Sequence, residues 1–328
     1  MKRNTISLYD FKLRFFVDTN VLIDYIENFN EKKCVTFLNL FRKSKVKKKA
    51  KIEEVELVTS DYVLWEFKGR IRRELHAKKL VKNHGFSIIA ANSESNKFRK
   101  EYANIKCMKN YGQEISNIEK QIFDEMQLLY LERLMGKALP GISETIDKIL
   151  SCSKLPYKDA IVLASAIFTK SNFILTCDEQ HFNNEIFNEL KEAMKEWQKI
   201  VAKPIDFKQI EIKRPSSYPS LKVLRQEYKK WFMCNNEQKI IGTAVKFFPR
   251  LSVVEIMCKR KNYLKAGDQG WLVRFNNDGK MTKLGFSINE SNLRSFKTKK
   301  PTKKGKHVTI KLERQNREWD QAHVFLAE

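Results

Sequence analysis

Through residues 1–200, short apolar runs alternate with stretches in which apolar residues recur every three or four positions. Leu13–Val17 is an apolar run that ends at Asp18 and reads as a buried strand. Val21–Glu27 turns helical, Lys43–Lys51 is a basic, solvated loop, and Val55–Thr59 is a second strand. Ser60 or Asp61 can cap the helix that follows, which runs to about Asn83. Over residues 84–112 the pattern is open, and Ile88–Ala91 suits a strand or part of a helix. Ile115, Ile118, Ile122, Met126 and Leu129 keep helical spacing and predict a helix from Gln113 to about Met135. Pro140–Gly141 breaks the chain, a short helix reaches Cys152, and Pro156 precedes another with an apolar run from Ile161 to Phe168. Phe173–Cys177 reads as a buried strand ending at Asp178, and residues 185–200 as an amphipathic helix.

Strands alternating with helices predict an α/β domain, a parallel sheet covered by helices. Lys213–Ser220, with Pro215, Pro219 and three serines, reads as a linker. A helix at about residues 218–233 follows, then the β-rich pieces Ile240–Phe248, Ser252–Cys258, Trp271–Phe275, Lys283–Ser287 and Val308–Leu312. Asn277-Asp278-Gly279 is a hairpin-type turn. The expected organisation is a first domain over residues 1–212 with a helical insertion around 84–150, a linker at 213–220, and a small β-rich domain over 221–328, either β-barrel-like or α+β.

Composition adds a polyanionic partner to this picture. The formal net charge is +24, more than solubility requires. Residues 201–328 hold 28 Lys and Arg against 12 Asp and Glu, a net +16, whereas residues 1–200 hold 35 against 27, a net +8. The six cysteines form no C-x-x-C pair and have no histidine at zinc-ligand spacing, so they read as reduced thiols. With no secretory signal and no apolar run of membrane-spanning length, a cytoplasmic protein is expected.

Four acids stand out by their setting. Asp18 and Asp178 each end a strand, where ligands gather in open α/β sheets. Glu66 lies in Val63-Leu64-Trp65-Glu66-Phe67, and Asp159 opens the helix after Pro156. Singly, each has an ordinary explanation: a turn, a surface helix position, the favourable end of a helix dipole, a strand end. Asp24 could face either solvent or the site, Asp61 reads as a cap, and Glu179 and His181 as loop residues beside the site. Together the four suit a shared pocket with oxygen-only ligation of Mg²⁺ or Mn²⁺. Such ions acidify a bound water and stabilise charge on a phosphoryl transition state.

In their order and local context these acids also resemble a known family. Asp18-Thr19-Asn20-Val21-Leu22-Ile23-Asp24 resembles the opening motif of PIN-domain nucleases. Glu66 is similar to the second acidic position, Lys158-Asp159-Ala160 to the third, and Thr176-Cys177-Asp178-Glu179-Gln180-His181-Phe182 to the final strand-end motif. The resemblance covers roughly residues 13–185. It implies a PIN-like parallel sheet flanked by helices and a metal-dependent endoribonuclease, usually cutting single-stranded RNA. It implies Asp18, Glu66, Asp159 and Asp178 as catalytic, metal-site acids, with Asn20 and Thr176 as supporting polar groups. The family includes the toxins of many toxin–antitoxin pairs, although these usually lack a domain like residues 221–328.

In the second domain, Lys297–Lys306 carries six lysines in ten residues, among them Lys299, Lys300, Lys303 and Lys304. With Lys259, Arg260, Lys261 and Trp271 these suit phosphate contact and base stacking, against the plainer reading of a solvated loop. The leading expectation is an RNA endonuclease whose second domain holds the substrate. The competing ones are a DNA nuclease, a non-catalytic nucleic-acid-binding protein, and a module docking an acidic protein such as an antitoxin or a defence-complex subunit. No membrane partner is expected, and a homodimer stays open.

Overall fold

In the computed structural model, residues 5–27, 32–41, 54–97, 112–120, 122, 129–130, 142–183, 185–192, 210–248, 253–259, 267–288, 307–312 and 319–327 are described. The chain forms two compact units, one of Arg14–Ser220, the other joining residues up to Leu13 with Leu221–Glu328.

The Arg14–Ser220 unit is built on a sheet in the order β4-β3-β2-β5-β6. Its strands are β2 (Leu13–Val17), β3 (Val55–Thr59), β4 (Leu129–Tyr130), β5 (Phe173–Leu175) and β6 (Glu211–Lys213). The pairs β3–β4, β2–β5 and β5–β6 are parallel. β2 and β3 share one burial pattern, with only the second residue of each partly exposed. Those two residues, Arg14 and Glu56, pair with each other at 2.9 Å, so the polar position on each central strand is satisfied across the sheet.

The helices of this unit include α1 (Thr19–Glu27), α2 (Lys32–Asn39), α3 (Asp61–His84), α4 (Ile88–Lys97), α5 (Ile142–Cys152) and α6 (Tyr157–Phe168), and residues 112–120 and 185–192 are helical too. Ser60 caps α3 by accepting from the Val63 N–H, and Gly85 ends it in the left-handed region at φ 68°. Pro156 stands before α6, which buries Ala160 and every residue from Val162 to Ala166.

Several expectations need correction. Leu129 belongs to β4 and not to a helix reaching Met135, while residues 112–120 are helical as the periodicity predicts. For Ile88–Ala91, where strand and helix were both open, the structure has a helix. β5 stops at Leu175, two residues short of the predicted strand end. The predicted linker is ordered structure. Lys213 ends β6, Pro215 is buried in a 3-10 turn, and the buried Tyr218 ring stands edge-on to Phe15, with centroids 5.5 Å apart.

The second unit is α+β. Helix α7 (Leu221–Asn236) accompanies a sheet in the order β10-β9-β12-β7-β8-β11, with β1 (Thr5–Ile6) added to β12. The strands are β7 (Ile240–Phe248), β8 (Val253–Cys258), β9 (Gln269–Phe275), β10 (Met281–Ser287), β11 (His307–Lys311) and β12 (His323–Ala327). All the pairs are antiparallel except β1–β12. The β9–β10 hairpin turns where Asn277-Asp278-Gly279 predicts it, with Gly279 at φ 80°. The core holds Ile241, Val254, Ile256, Leu272, Trp319 and Val324. Phe11 stacks on Phe232 of α7 at 5.4 Å, and the Tyr228 hydroxyl donates to the Phe11 carbonyl at 2.9 Å. With β1, these contacts attach the N-terminal residues to this unit, so the division expected at residues 1–212 does not hold at its N-terminal end.

Gly270 in β9 lies where a Cβ would overlap both the Phe325 carbonyl oxygen and the Phe286 ring. Gly270→Ala is expected to cost about 1–3 kcal/mol, because the backbone oxygen cannot rotate away as a side chain would. An unchanged thermal midpoint would show that the strand pair has slack there. Cys258 is buried and its thiol pushed up to about 11 by desolvation. Among the described residues no helix is long and apolar enough to cross a membrane.

Candidate active site

The register between β2 and β5 brings the strand-end residues together. Val17 pairs with Leu175, and the Asp18 N–H donates to the Leu175 carbonyl at 3.0 Å. Parallel strands in this register end side by side, so Asp18 and Thr176 meet where the ladder stops. The Thr176 hydroxyl donates to Asp18 Oδ2 at 2.7 Å, and the Thr19 N–H donates to Asp18 Oδ1 at 2.6 Å.

Asn20 ties the two strand ends together. Its amide donates to Asp18 Oδ2 at 2.8 Å and to the Thr176 hydroxyl at 3.1 Å, and its oxygen accepts from the Cys177 N–H at 2.9 Å. The supporting positions implied for Asn20 and Thr176 are thus occupied by direct contacts to Asp18. β3 ends at the same edge, where the Thr59 hydroxyl donates to the Val17 carbonyl at 3.1 Å, and α3 starts two residues on.

From α3, Glu66 accepts the Thr19 hydroxyl at 2.8 Å, one residue from Asp18. Its other oxygen pairs with Lys158 of α6 at 3.3 Å. Asp159 follows Lys158, and its Oδ2 lies 3.2 Å from His181 Nδ1. The same nitrogen lies 3.0 Å from Asp178 Oδ2. Asp178 also accepts the Gln180 and His181 N–H groups on Oδ1, at 2.8 and 3.0 Å. The contacts therefore close a ring through Glu66, Thr19, Asp18, Thr176, the Asp178 loop, His181 and Asp159, returning by Lys158. All four sequence-predicted acids lie on it.

Electrostatics follow from this crowding. Asp18 is 6% exposed, and burial pushes its carboxyl up to about 6, with Asp159 and Glu66 adding repulsion against the hydrogen bonds from Thr176 and Thr19. Asp159 is likewise pushed up to about 6, first by burial; His181 opposes the rise and Asp178 and Glu66 add to it. For Asp178 burial is the largest single influence, yet the hydrogen bonds from His181 and Gln180 outweigh it and hold the carboxyl below its ordinary value. Oxygens of Asp159 and Asp178 and a nitrogen of His181 lie within 4.8 Å of one another, a spacing that could hold a cation.

Three contributors were not singled out by the sequence. Thr19 bridges two acids, Lys158 neutralises Glu66, and Arg214 at the end of β6 donates to the Thr176, Asp178 and Phe182 carbonyls at 3.0, 2.7 and 2.6 Å. His181, read as a neighbouring loop residue, contacts two of the acids directly.

The basic candidates lie in the other unit. Lys259 is exposed just past β8, while Arg260, Lys261, Lys299, Lys300, Lys303 and Lys304 lie outside the described residues. Trp271 is partly buried in β9, edge-on to Phe11 at 5.7 Å with Lys283 Nζ 5.4 Å from its ring. Its ring is thus engaged in the packing of its own unit. No family model matches the chain, and no curated protein matches it.

Proposed function

We propose that the Arg14–Ser220 unit is a divalent-cation-dependent endoribonuclease that hydrolyses phosphodiester bonds, with single-stranded RNA as its substrate. The observation that carries this reading is the gathering of Asp18, Glu66, Asp159 and Asp178, from four places in the chain, into one hydrogen-bonded ring at the strand ends. Carboxylates so close repel one another, and Asp18 and Asp159 are pushed towards neutral pH, first by burial and then by that repulsion. A cation held at Asp159 and Asp178, whose oxygens lie within 4.8 Å of each other, would offset the repulsion. Their hard oxygen donors suit Mg²⁺ or Mn²⁺. The motif resemblance to PIN-domain nucleases supports the same chemistry and supplies the preference for RNA.

When bound, such an ion supplies a more acidic water and stabilises charge on a phosphoryl oxygen. The chain's own residues do the positioning. Thr19, Asn20 and Thr176 fix both oxygens of Asp18, so its orientation costs nothing at the moment of binding. His181 holds Asp159 and Asp178 in one orientation from between them. Lys158 offsets the charge of Glu66 at a partly exposed position, where a substrate phosphate could replace that carboxylate as its partner.

Cleavage of single-stranded RNA is expected to stop in EDTA and to return when excess Mg²⁺ or Mn²⁺ is added. Activity that survives exhaustive chelation would overturn the reading.

A further inference from the structure

We propose that Trp65 and Tyr157 form a stacking rim that takes unpaired bases of a single-stranded nucleic acid beside the acidic ring. The inference rests on the reading of that ring as a phosphodiesterase site and names how its substrate is held. Trp65 is 68% exposed and Tyr157 61%, the two most exposed aromatic side chains among the described residues. Leaving so much ring surface in water forgoes the stabilisation that burial would give.

Their position is what gives the exposure meaning. Glu66 of α3 and Lys158 of α6 touch at 3.3 Å, and Trp65 and Tyr157 are the residues immediately before them. Each exposed ring is therefore carried one residue from the contact that joins α3 to α6 at the acidic site. The Lys158 side chain, 49% exposed, supplies a positive charge at that contact. Aromatic faces beside a cation are how proteins hold single strands: bases stack whatever their identity, and the charge follows the backbone.

Helix α3 adds a second observation. Tyr62, one turn before Trp65, has its ring centroid 6.1 Å from the Trp65 ring at an interplanar angle of 36°, and so steadies it from one side. One turn after Trp65 comes Gly69, where an added Cβ would meet nothing within 4 Å. Glycine is less favourable than alanine inside a helix, and here no packing requires it. Room beside Trp65 on that side suits a flat ligand entering against the indole. By contrast, the apolar patch of Phe86, Ile88 and Ile89, at the other end of α3, has neither a neighbouring acidic site nor anything to show what covers it.

A duplex buries its base faces, so the rim selects unpaired strands. The test measures binding apart from cleavage. Full-length protein is titrated in EDTA with a fluorescently labelled uridine-rich single-stranded RNA and with the matching duplex, and cleavage in Mg²⁺ is scored separately. Trp65→Ala and Tyr157→Ala are each expected to weaken single-strand binding by about ten-fold, the scale of one lost base stack, with melting temperatures unchanged. Trp65→Phe should keep most of the affinity, and Gly69→Leu, which fills the space beside the indole, should lower it without touching either ring. Unchanged binding in Trp65→Ala and Gly69→Leu would overturn the proposal and leave the rings as a surface for a protein partner. Equal weakening on single strand and duplex would also overturn it. A wild-type chain that binds the single strand through these residues but cuts nothing in Mg²⁺ would instead remove the nuclease reading and leave the stacking rim standing.

Discussion

Replacing Asp18 with asparagine is expected to lower cleavage by roughly a thousand-fold and, in the metal-free protein, to raise stability at neutral pH. The loss of activity is of the size that removing several kcal/mol of cation-assisted stabilisation would produce. The gain in stability comes from the same carboxylate. Asp18 is pushed from 3.8 to about 6 in the folded protein, so the folded state holds its proton more tightly than the unfolded one. Below about pH 4 the group is protonated in both states and costs nothing. As pH rises through about 6 the folded state must ionise it against burial and repulsion, and stability falls, by an upper limit of about 3 kcal/mol. Asp159 shifts in the same direction and deepens the fall. Asp178, held below its ordinary value, has the opposite sign, but its contribution changes at the more acidic end and leaves this window alone.

An asparagine resembles the protonated acid and carries no such slope. Thermal melts in EDTA should therefore show the variant above wild type at about pH 7.5 and level with it at about pH 4. Added Mg²⁺ should then raise the wild-type midpoint and leave the variant's nearly unmoved, because a ligand stabilises only the state that binds it. A variant less stable than wild type at both pH values would make Asp18 a structural cap and not a site acid.

What the sequence revealed and what it hid have physical reasons. β2 and β3 were legible because strands buried on both faces read as continuous apolar runs, here with Arg14 and Glu56 as single interruptions. α3 was legible through Ser60. β4 and β6, of two and three residues, are too short to carry a period, and Leu129 fell in phase with the helical isoleucines before it. Pro215 and its serines signalled a linker by composition, but Tyr218 lodges against Phe15 and Phe37, a long-range contact that no local pattern encodes. β1 and β12 went unread, although β12 joins three other strands. Asp18 and Asp159 stood out because one directly follows a strand and the other opens a helix, whereas Asp178 followed an apolar run and Glu66 was a charge among apolar neighbours. The roles of Thr19 and Arg214 depend on which strands lie side by side, and so become visible only in the fold.

Arg214→Gln is expected to cost about 2–4 kcal/mol and to weaken the site through a loop that the arginine itself does not enter. β6 pairs with β5 so that Lys213 lies opposite Leu175, and the Thr176 N–H donates to the Lys213 carbonyl at 3.2 Å. Arg214 is the next residue, and its guanidinium reaches the carbonyls of Thr176, Asp178 and Phe182. The loop they belong to carries both Asp178 and His181. Three of its carbonyls accept from one guanidinium, an arrangement suited to a planar fork of donors and poorly matched by an ammonium. Glutamine reaches fewer of them and leaves partly buried acceptors unmet. Loosening this loop should raise the Mn²⁺ concentration needed for half-maximal cleavage, with much of the rate recovered at saturating metal, since no acid has been removed. Arg214→Lys, which keeps the charge but not the fork, should fall between wild type and Arg214→Gln on both measures. If Arg214→Gln melts as wild type does and needs no more Mn²⁺, the loop holds itself in place, and the hydrogen bonds of Asp178 to its own turn suffice to position that carboxylate.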